Sequence, residues 1–323
     1  MNSKMPVLWV AGLLLAVSAV FPIAPASAWP EKPVRIIIPW PPGGSTDIIG
    51  RILAAELTSR LKQQVVIDNR AGAGSIVGLQ IATAAPPDGY TFMMTSTAYG
   101  FLIDRPKVPV DLVNSFAPVA MIGFGDSALV VHPSFPVKTV KDLIDLAKKR
   151  PGEILYASSG IGGFPHMNTE LFTLMTGAKM VHVPFKGGGP AIADVVAGHT
   201  QINFGSLVTV LPHVQTKRLR LVATGGPKRN SKHPDVPAIA ETVPGYESRI
   251  WWGIFVPPKT PPDVIARFHA ETNVVISAPA FQSRLDEQGG VVVTMSSAEF
   301  GKLMVSEQNK WLGVIKAAGI KGE

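Results

Sequence analysis

Short runs of apolar, mostly β-branched residues alternate along this chain with longer stretches in which apolar positions recur every three to four residues. Val34–Ile38 is the first such run and reads as a buried strand. After it, Ile48, Ile49, Ile52, Leu53, Leu57 and Leu61 recur at helical spacing, with Arg51, Glu56 and Arg60 between them, which predicts a helix over 47–61. The alternation continues, with strands expected at 65–67, 90–94, 119–122, 128–131, 155–157, 180–183, 201–204, 219–223 and 251–256. Helices are expected at 77–84, 138–150, 166–176, 191–197, 263–277 and 298–318. This βαβα order predicts an α/β fold with mainly parallel sheets. In such folds ligands sit beyond the carboxyl ends of the strands.

The joint between the first strand and the first helix carries the strongest local signal. Pro39-Trp40-Pro41-Pro42-Gly43-Gly44 cannot continue as a central strand, because proline fixes φ and lacks an N–H. Gly43 and Gly44 allow a tight turn and leave room for another group to approach the backbone. Ser45, Thr46 and Asp47 are residue types that cap helices. A helix starting there aims free N–H groups into the space above the strand, which suits an anion. A second joint, Pro184-Phe185-Lys186-Gly187-Gly188-Gly189-Pro190, repeats the order of strand, Pro-aromatic, paired glycines and helix. Two similar halves facing each other would set both loops on one ligand. Ser158-Ser159-Gly160-Ile161-Gly162-Gly163 is a third loop of the same position.

The amino terminus changes the picture. Lys4, the apolar run from Val7 to Val20 and Ala26-Ser27-Ala28 have the form of a secretory signal with an A-x-A cleavage site. The run is short for a membrane span, which needs about 20 residues. Export, cleavage after Ala28 and a mature chain beginning at Trp29 are expected. The chain has no cysteine, so disulfides, thiolate metal sites, cysteine nucleophiles and a lipid-modified Cys anchor are all excluded. A soluble, monomeric periplasmic protein is expected. The formal net charge of +7 fits an anionic ligand. It is no nucleic-acid signature, because the basic clusters Lys148-Lys149-Arg150 and Lys217-Arg218 carry no interleaved aromatics.

Catalytic templates fail. The sequence contains no G-x-S-x-G, no H-E-x-x-H and no phosphate-binding G-x-x-x-x-G-K-[ST]. His166, His182, His199 and His213 lie far apart without ligand spacing, so packing or surface roles are expected and no metal site. Asp47 and Asp194 read as helix-capping or loop-bracing acids. Gly72-x-Gly74-x-x-x-Gly78 resembles a dinucleotide fingerprint, but its third glycine is one residue late and Asp88 sits in a turn. No nucleotide and no other cofactor is expected.

Several motifs together are similar to one known family. Trp29-Pro30-x-Lys32-Pro33-Val34-Arg35 leads into Pro39-Trp40-Pro41-Pro42-Gly43-Gly44-x-x-Asp47. Asn69-Arg70-x-Gly72-Ala73-Gly74, Pro87-Asp88-Gly89-Tyr90, Phe116-Ala117-Pro118-Val119 and Tyr156-Ala157-Ser158-Ser159-Gly160 follow in order. His182-Val183-Pro184-Phe185-Lys186-Gly187, Pro234-Asp235-Val236-Pro237, Pro244-Gly245-Tyr246-Glu247 and Lys310-Trp311 complete the set. The whole mature chain thus resembles the Bug-type extracytoplasmic solute receptors of tripartite tricarboxylate transporters.

The resemblance implies a type II periplasmic-binding-protein fold, in which two α/β domains joined by two crossover strands close on a ligand. The implied boundaries are a signal peptide at 1–28, a discontinuous first domain of 29–130 plus 251–323, and a second domain of 131–250, with crossovers near Ala128–His132 and Ile250–Phe255. It implies a small organic carboxylate as ligand and the membrane permease subunits of the transporter as partners. One carboxylate would be held by the loop Pro42, Gly43, Gly44, Ser45, Thr46 and Asp47. Ser96, Thr97, Ser158, Ser159 and Gly160 would line the rest, with Phe185, Lys186 and Gly187. Trp40, Tyr99, Gly162, His166 and Asn203 complete the candidate ligand contacts. Trp40, Tyr99, Phe101, Phe164 and Phe185 place aromatic rings in or beside these loops, and Asn203-Phe204-Gly205 supplies no acid for an ammonium. A ligand with an apolar or aromatic body, and not an amino acid, is therefore expected. The competing expectations are a ligand-loaded receptor signalling to a sensor kinase ectodomain and a secreted hydrolase. The missing nucleophile and base argue against the hydrolase.

Overall fold

The computed structural model describes residues 29–97 and 112–321. The signal segment, Tyr99 and Phe101 lie outside the described residues. Ten strands are β1 (Val34–Ile38), β2 (Val65–Asn69), β3 (Thr91–Ser96), β4 (Ala117–Val131), β5 (Leu155–Ser158), β6 (Val181–Pro184), β7 (Ile202–Ser206), β8 (Arg220–Thr224), β9 (Arg249–Val256) and β10 (Gly290–Val292). The helices are α1 (Ser45–Leu61), α2 (Ile76–Thr83), α3 (Leu112–Ser115), α4 (Val140–Lys149), α5 (Phe164–Thr176), α6 (Gly188–Ala197), α7 (Leu207–Gln215), α8 (Pro262–Ser277), α9 (Pro279–Glu287) and α10 (Ser297–Ala318).

The strands run in the order β2-β1-β3-β9-β4-β7-β5-β6, with β8 and β10 also pairing with β4. At the two ends of this order the sheet is parallel, β1 with β2 and β3, and β5 with β6 and β7. Its centre is antiparallel, β9 with β3 and β4, and β4 with β7, β8 and β10. The expectation of mainly parallel sheets is thereby corrected. A buried apolar run looks the same in either direction, so the pattern could not give the sense of β4 and β9.

β4 is one continuous strand of 15 residues where two separate strands were expected. The interruption, Gly123-Phe124-Gly125-Asp126, reads as a break but serves close packing. A Cβ on Gly123 would lie 2.3 Å from the carbonyl oxygen of Val291, and one on Gly125 would lie 2.5 Å from the Trp252 ring. β4 pairs with β9 as far as Asp126↔Arg249 and with β7 from Ser127↔Ser206 onward. This one strand therefore passes from one half of the sheet to the other.

Each half is buried on both faces, as its uninterrupted apolar runs require. In the first half Ile36, Ile38, Phe92, Trp252 and Ile254 pack against Leu53, Leu57, Phe268 and Trp311. On the opposite face Ile37, Met93 and Phe255 pack against Leu79, Phe300 and Met304. In the second half Leu129, Tyr156 and Phe204 meet Leu143 and Phe172, while Val130 and Ala157 meet Ile192, Val195 and Leu211. Trp29 anchors the first described residue. Its ring lies 6.2 Å from both Phe92 and Phe268, and its indole N–H donates to the Gly89 carbonyl at 3.2 Å.

Candidate functional site

The carboxyl ends of β1, β2, β5 and β6 all open on one chamber of about 610 Å3, lined by Pro39–Pro41, Ala71, Gly72, Gly74–Ile76, Ser159–Ile161 and Pro184–Gly187. A smaller chamber of about 70 Å3 lies beside it and shares Trp40, Pro41, Ser159 and Gly187 with it. Both Pro-aromatic loops thus reach one cavity, as their repeated pattern suggested. They also touch there, since a Cβ on Gly187, whose φ is +128°, would fall 2.8 Å from Pro41 Cγ.

The inner chamber is a meeting point of helix starts. Gly44, Ser45 and Thr46 begin α1; Phe164 and Pro165 begin α5; Gly187 and Gly188 begin α6; Ser206 and Thr209 belong to the start of α7. Each start leaves first-turn N–H groups without intrahelical acceptors and carries roughly half a positive charge. Four such ends around one small space make it electropositive with neutral groups, a setting that suits an anion. Lys186, in the outer chamber, is the only charged side chain among the described residues lining either chamber.

The first loop differs in detail from its reading as a cap. Gly44 is the N-cap of α1, in extended backbone and without a side-chain cap bond, and Ser45 is already helical. Asp47 reaches back to accept the Gly43 N–H at 3.0 Å and pairs with Arg51 at 2.9 Å. Burial pushes its carboxyl pKa up, but hydrogen bonds from Arg51, Gly43 and Asn69 outweigh burial and hold it below the usual value. Asp47 braces the loop and lines neither chamber. Ser45 Oγ accepts the Trp252 indole N–H at 3.3 Å. Ser45→Ala should therefore leave that buried N–H unpaired and cost about 1–3 kcal/mol of stability, measurable by urea unfolding.

Of the other candidate contacts, Trp40, Gly44, Ser45, Thr46, Ser96, Ser159, Gly160, Phe185, Lys186 and Gly187 line a chamber. Pro42 and Gly43 are exposed on the rim. Thr97 Oγ1 accepts the Trp251 backbone N–H at 3.0 Å, and Asn203 Nδ2 donates to the Ala157 carbonyl at 2.7 Å, so both tie strands together outside the lining. Ser158 Oγ accepts the Gly160 N–H at 3.1 Å and also meets His182 Nε2. His166 Nδ1 accepts the Gly162 N–H at 3.0 Å, and its ring stacks on His182 with centroids 4.0 Å apart. Ser158, His166 and His182 hold the 158–163 loop from below. Burial, and for His166 also the neighbouring His182, push the imidazole pKa of His166 down to about 3, while burial lowers that of His182 to about 4. Glu170 lies 3.9 Å from His166, but its carboxylate is taken by the Tyr156 hydroxyl at 2.7 Å.

The β2–α2 loop was missed as a site element. Ala71, Gly72, Gly74, Ser75 and Ile76 line the outer chamber. The signal was Asn69-Arg70-x-Gly72-Ala73-Gly74, a glycine loop at the end of a parallel strand, read as a family motif and a broken nucleotide fingerprint but not as a ligand contact. Asn69 Nδ2 also donates to the Trp40 carbonyl at 3.0 Å, joining this loop's base to the first loop. Ser75 is only 2 % exposed, has φ +86°, and its hydroxyl has no hydrogen-bond partner among the described residues. The backbone strain and the unpaired hydroxyl each cost on the order of 1–3 kcal/mol. Ser206 and Pro165, in the inner chamber, were also missed.

Residues 49–320 match the tripartite tricarboxylate transporter family receptor. The chain belongs to that family. It is 31% identical to protein BugT of Bordetella pertussis over 316 residues, covering 97% of each chain. Its fold superposes on the adipate-bound Rpa4515 protein of R. palustris with a TM-score of 0.88, at 31% identity, covering 91% of this chain and 99% of that one. It superposes on malate-bound MatC of Rhodopseudomonas palustris with a TM-score of 0.83, at 25% identity, covering 89% and 100%. The fold of this receptor is therefore the type II periplasmic-binding-protein fold expected from the resemblance, and the family is one of solute-binding receptors and not of enzymes.

Proposed function

We propose that this chain is exported, cleaved after Ala28, and acts in the periplasm as a monomeric receptor that captures a small organic carboxylate and delivers it to the permease subunits of a tripartite tricarboxylate transporter. The observation that carries the reading is the inner chamber, where the starts of α1, α5, α6 and α7 converge and no acid lines the space among the described residues. Adipate and malate on two structural relatives support a carboxylate. Hydrogen bonds from neutral N–H and O–H groups solvate such a group and still release it, which a transport receptor requires. Closure would bring two bodies, 29–130 with 251–323 and 131–250, together on the ligand through the Pro41–Gly187 contact.

A thermal-shift screen of carboxylates on the mature protein tests the reading. A ligand at a hundredfold its Kd adds about 2.7 kcal/mol of stability, and none should do so after the chamber is blocked. N-terminal sequencing of the periplasmic fraction should begin Trp29-Pro30-Glu31. An intact Met1 in the membrane fraction would overturn the processing step.

A further inference from the structure

The charges of this chain are divided unevenly between its halves. Residues 131–250 carry 14 Lys and Arg against 8 Asp and Glu, whereas 29–130 with 251–323 carry 15 of each. The positive excess of the chain after Ala28 therefore belongs entirely to the second half. Six of its cations gather at one end. Lys148 and Lys149 finish α4 and Arg150 follows them, Lys179 stands two residues before β6, and Lys217 and Arg218 stand between α7 and β8. The Gly152 N–H donates to the Lys179 carbonyl at 3.1 Å, and a Cβ on Gly177 would lie 4.0 Å from Lys148 Cε, so the first two groups adjoin. Leu155 pairs with Val181, and Val131 pairs with both Ile202 and Arg220, so the starts of β5 and β6 and those of β7 and β8 are level. These cations thus lie at the amino ends of the strands, while the outer chamber opens at the carboxyl ends of β5 and β6. All six are exposed, and among the described residues only Arg150 has an ion pair, with Glu153 at 3.9 Å. The ends of α4, α5 and α7 favour a cation each. Six cations exceed that need and repel one another with no compensation inside the fold. The same end exposes Leu174 and Met175 in the last turn of α5 and Val181 at the start of β6.

We propose that this end of the second half docks on an anionic lipid surface. Lysines on flexible stems suit a field of mobile headgroup charges, where a single fixed acid would favour the planar fork of arginine. Apolar side chains beside them can enter the boundary between headgroups and acyl chains. The attraction is electrostatic and reversible. It leaves the cleft free, because the chamber opens at the opposite end of the strands. Held this way, the protein is concentrated beside a membrane-embedded permease. That consequence rests on the function proposed above, whereas the lipid contact does not.

Flotation of the mature protein with vesicles tests this, using phosphatidylglycerol mixed with phosphatidylcholine against phosphatidylcholine alone. The wild type should float with the anionic vesicles and not with the neutral ones, and high salt should release it. The triple variant Lys148→Gln, Lys149→Gln, Lys179→Gln should bind the anionic vesicles at least about tenfold more weakly. The triple variant Lys259→Gln, Lys302→Gln, Lys316→Gln removes the same charge from exposed positions of the first half and should change binding by less than about threefold. Both variants should melt as the wild type does, which separates loss of the surface from loss of fold. Equal weakening in the two variants would show that net charge alone drives binding and would overturn the docking surface. So would a wild type that ignores anionic vesicles or binds neutral ones equally well. Salt-sensitive binding only to vesicles that carry the permease would assign this end to an acidic permease loop and overturn the lipid contact. Each of these outcomes leaves the carboxylate reading to its own thermal-shift test.

Discussion

Gly44→Val is expected to abolish carboxylate binding while the protein folds normally. Gly44 has φ −79° and ψ 163°, a backbone any L-residue adopts. A Cβ there meets nothing closer than the Pro41 carbonyl oxygen at 4.0 Å. The added valine therefore costs little in the ligand-free state. It enters a chamber of only about 70 Å3, at the first residue of the α1 start. A carboxylate displaced from those N–H groups loses several charge-assisted hydrogen bonds, so affinity should fall at least about 100-fold, or roughly 2.7 kcal/mol. The neighbouring glycine behaves differently, although the sequence makes the two look equivalent. Gly43 has φ +85° with open space around its Cβ position. Gly43→Val blocks nothing; it strains the loop by about 1–2 kcal/mol and disturbs the N–H that Asp47 accepts. Melting temperature should report the Gly43 variant and calorimetry the Gly44 variant. Wild-type affinity in folded Gly44→Val would place the carboxylate elsewhere.

The contrast between these two glycines shows where the sequence is readable. The strand, the Pro-Gly loop and the helix after it are local, so spacing and turn chemistry reveal them. The same holds for Pro184 to Pro190 and for most helices from α4 onward. Which residues of a loop face a cavity depends on the other half of the molecule, more than a hundred residues away, and no local pattern records it. Gly123 and Gly125 show the same limit inside a strand, where they admit Val291 and Trp252 from β10 and β9. α7 went unread because Leu207-Val208-Thr209-Val210 has the β-branched look of a strand and Pro212 stands inside the helix. His166 and His182 appeared unrelated at a separation of 16 residues. They meet because β5 and β6 pair in parallel, Tyr156 opposite His182, while α5 folds back over them.

That histidine pair is expected to make stability, and with it binding, sensitive to acid. In the unfolded chain each imidazole takes a proton near pH 6.5. In the folded protein burial of His166, with the charge of His182 beside it, delays protonation to about 3, and burial delays that of His182 to about 4. Between those values and 6.5 the unfolded chain binds more protons than the native one, so stability falls as pH falls through that window. Above pH 7 both states are neutral at these sites and the pair contributes no slope. Each unit of depression at buried His166 is worth about 1.4 kcal/mol, solvent screening discounts the share of half-buried His182, and the two stacked rings should together lose on the order of a few kcal/mol toward pH 4. Protonating His166 Nδ1 also removes the acceptor that holds the Gly162 N–H, so the 158–163 loop, and with it Ser159 and Gly160 in the chambers, should loosen first. Ligand affinity is then expected to weaken in the same window in which stability drops. The double variant His166→Gln, His182→Gln removes both titrating groups while glutamine can still accept the Gly162 N–H. Its unfolding free energy between pH 7 and 4.5, measured in urea, should fall less steeply than that of the wild type. Equal slopes would show that other groups set the acid sensitivity and that these histidines do not.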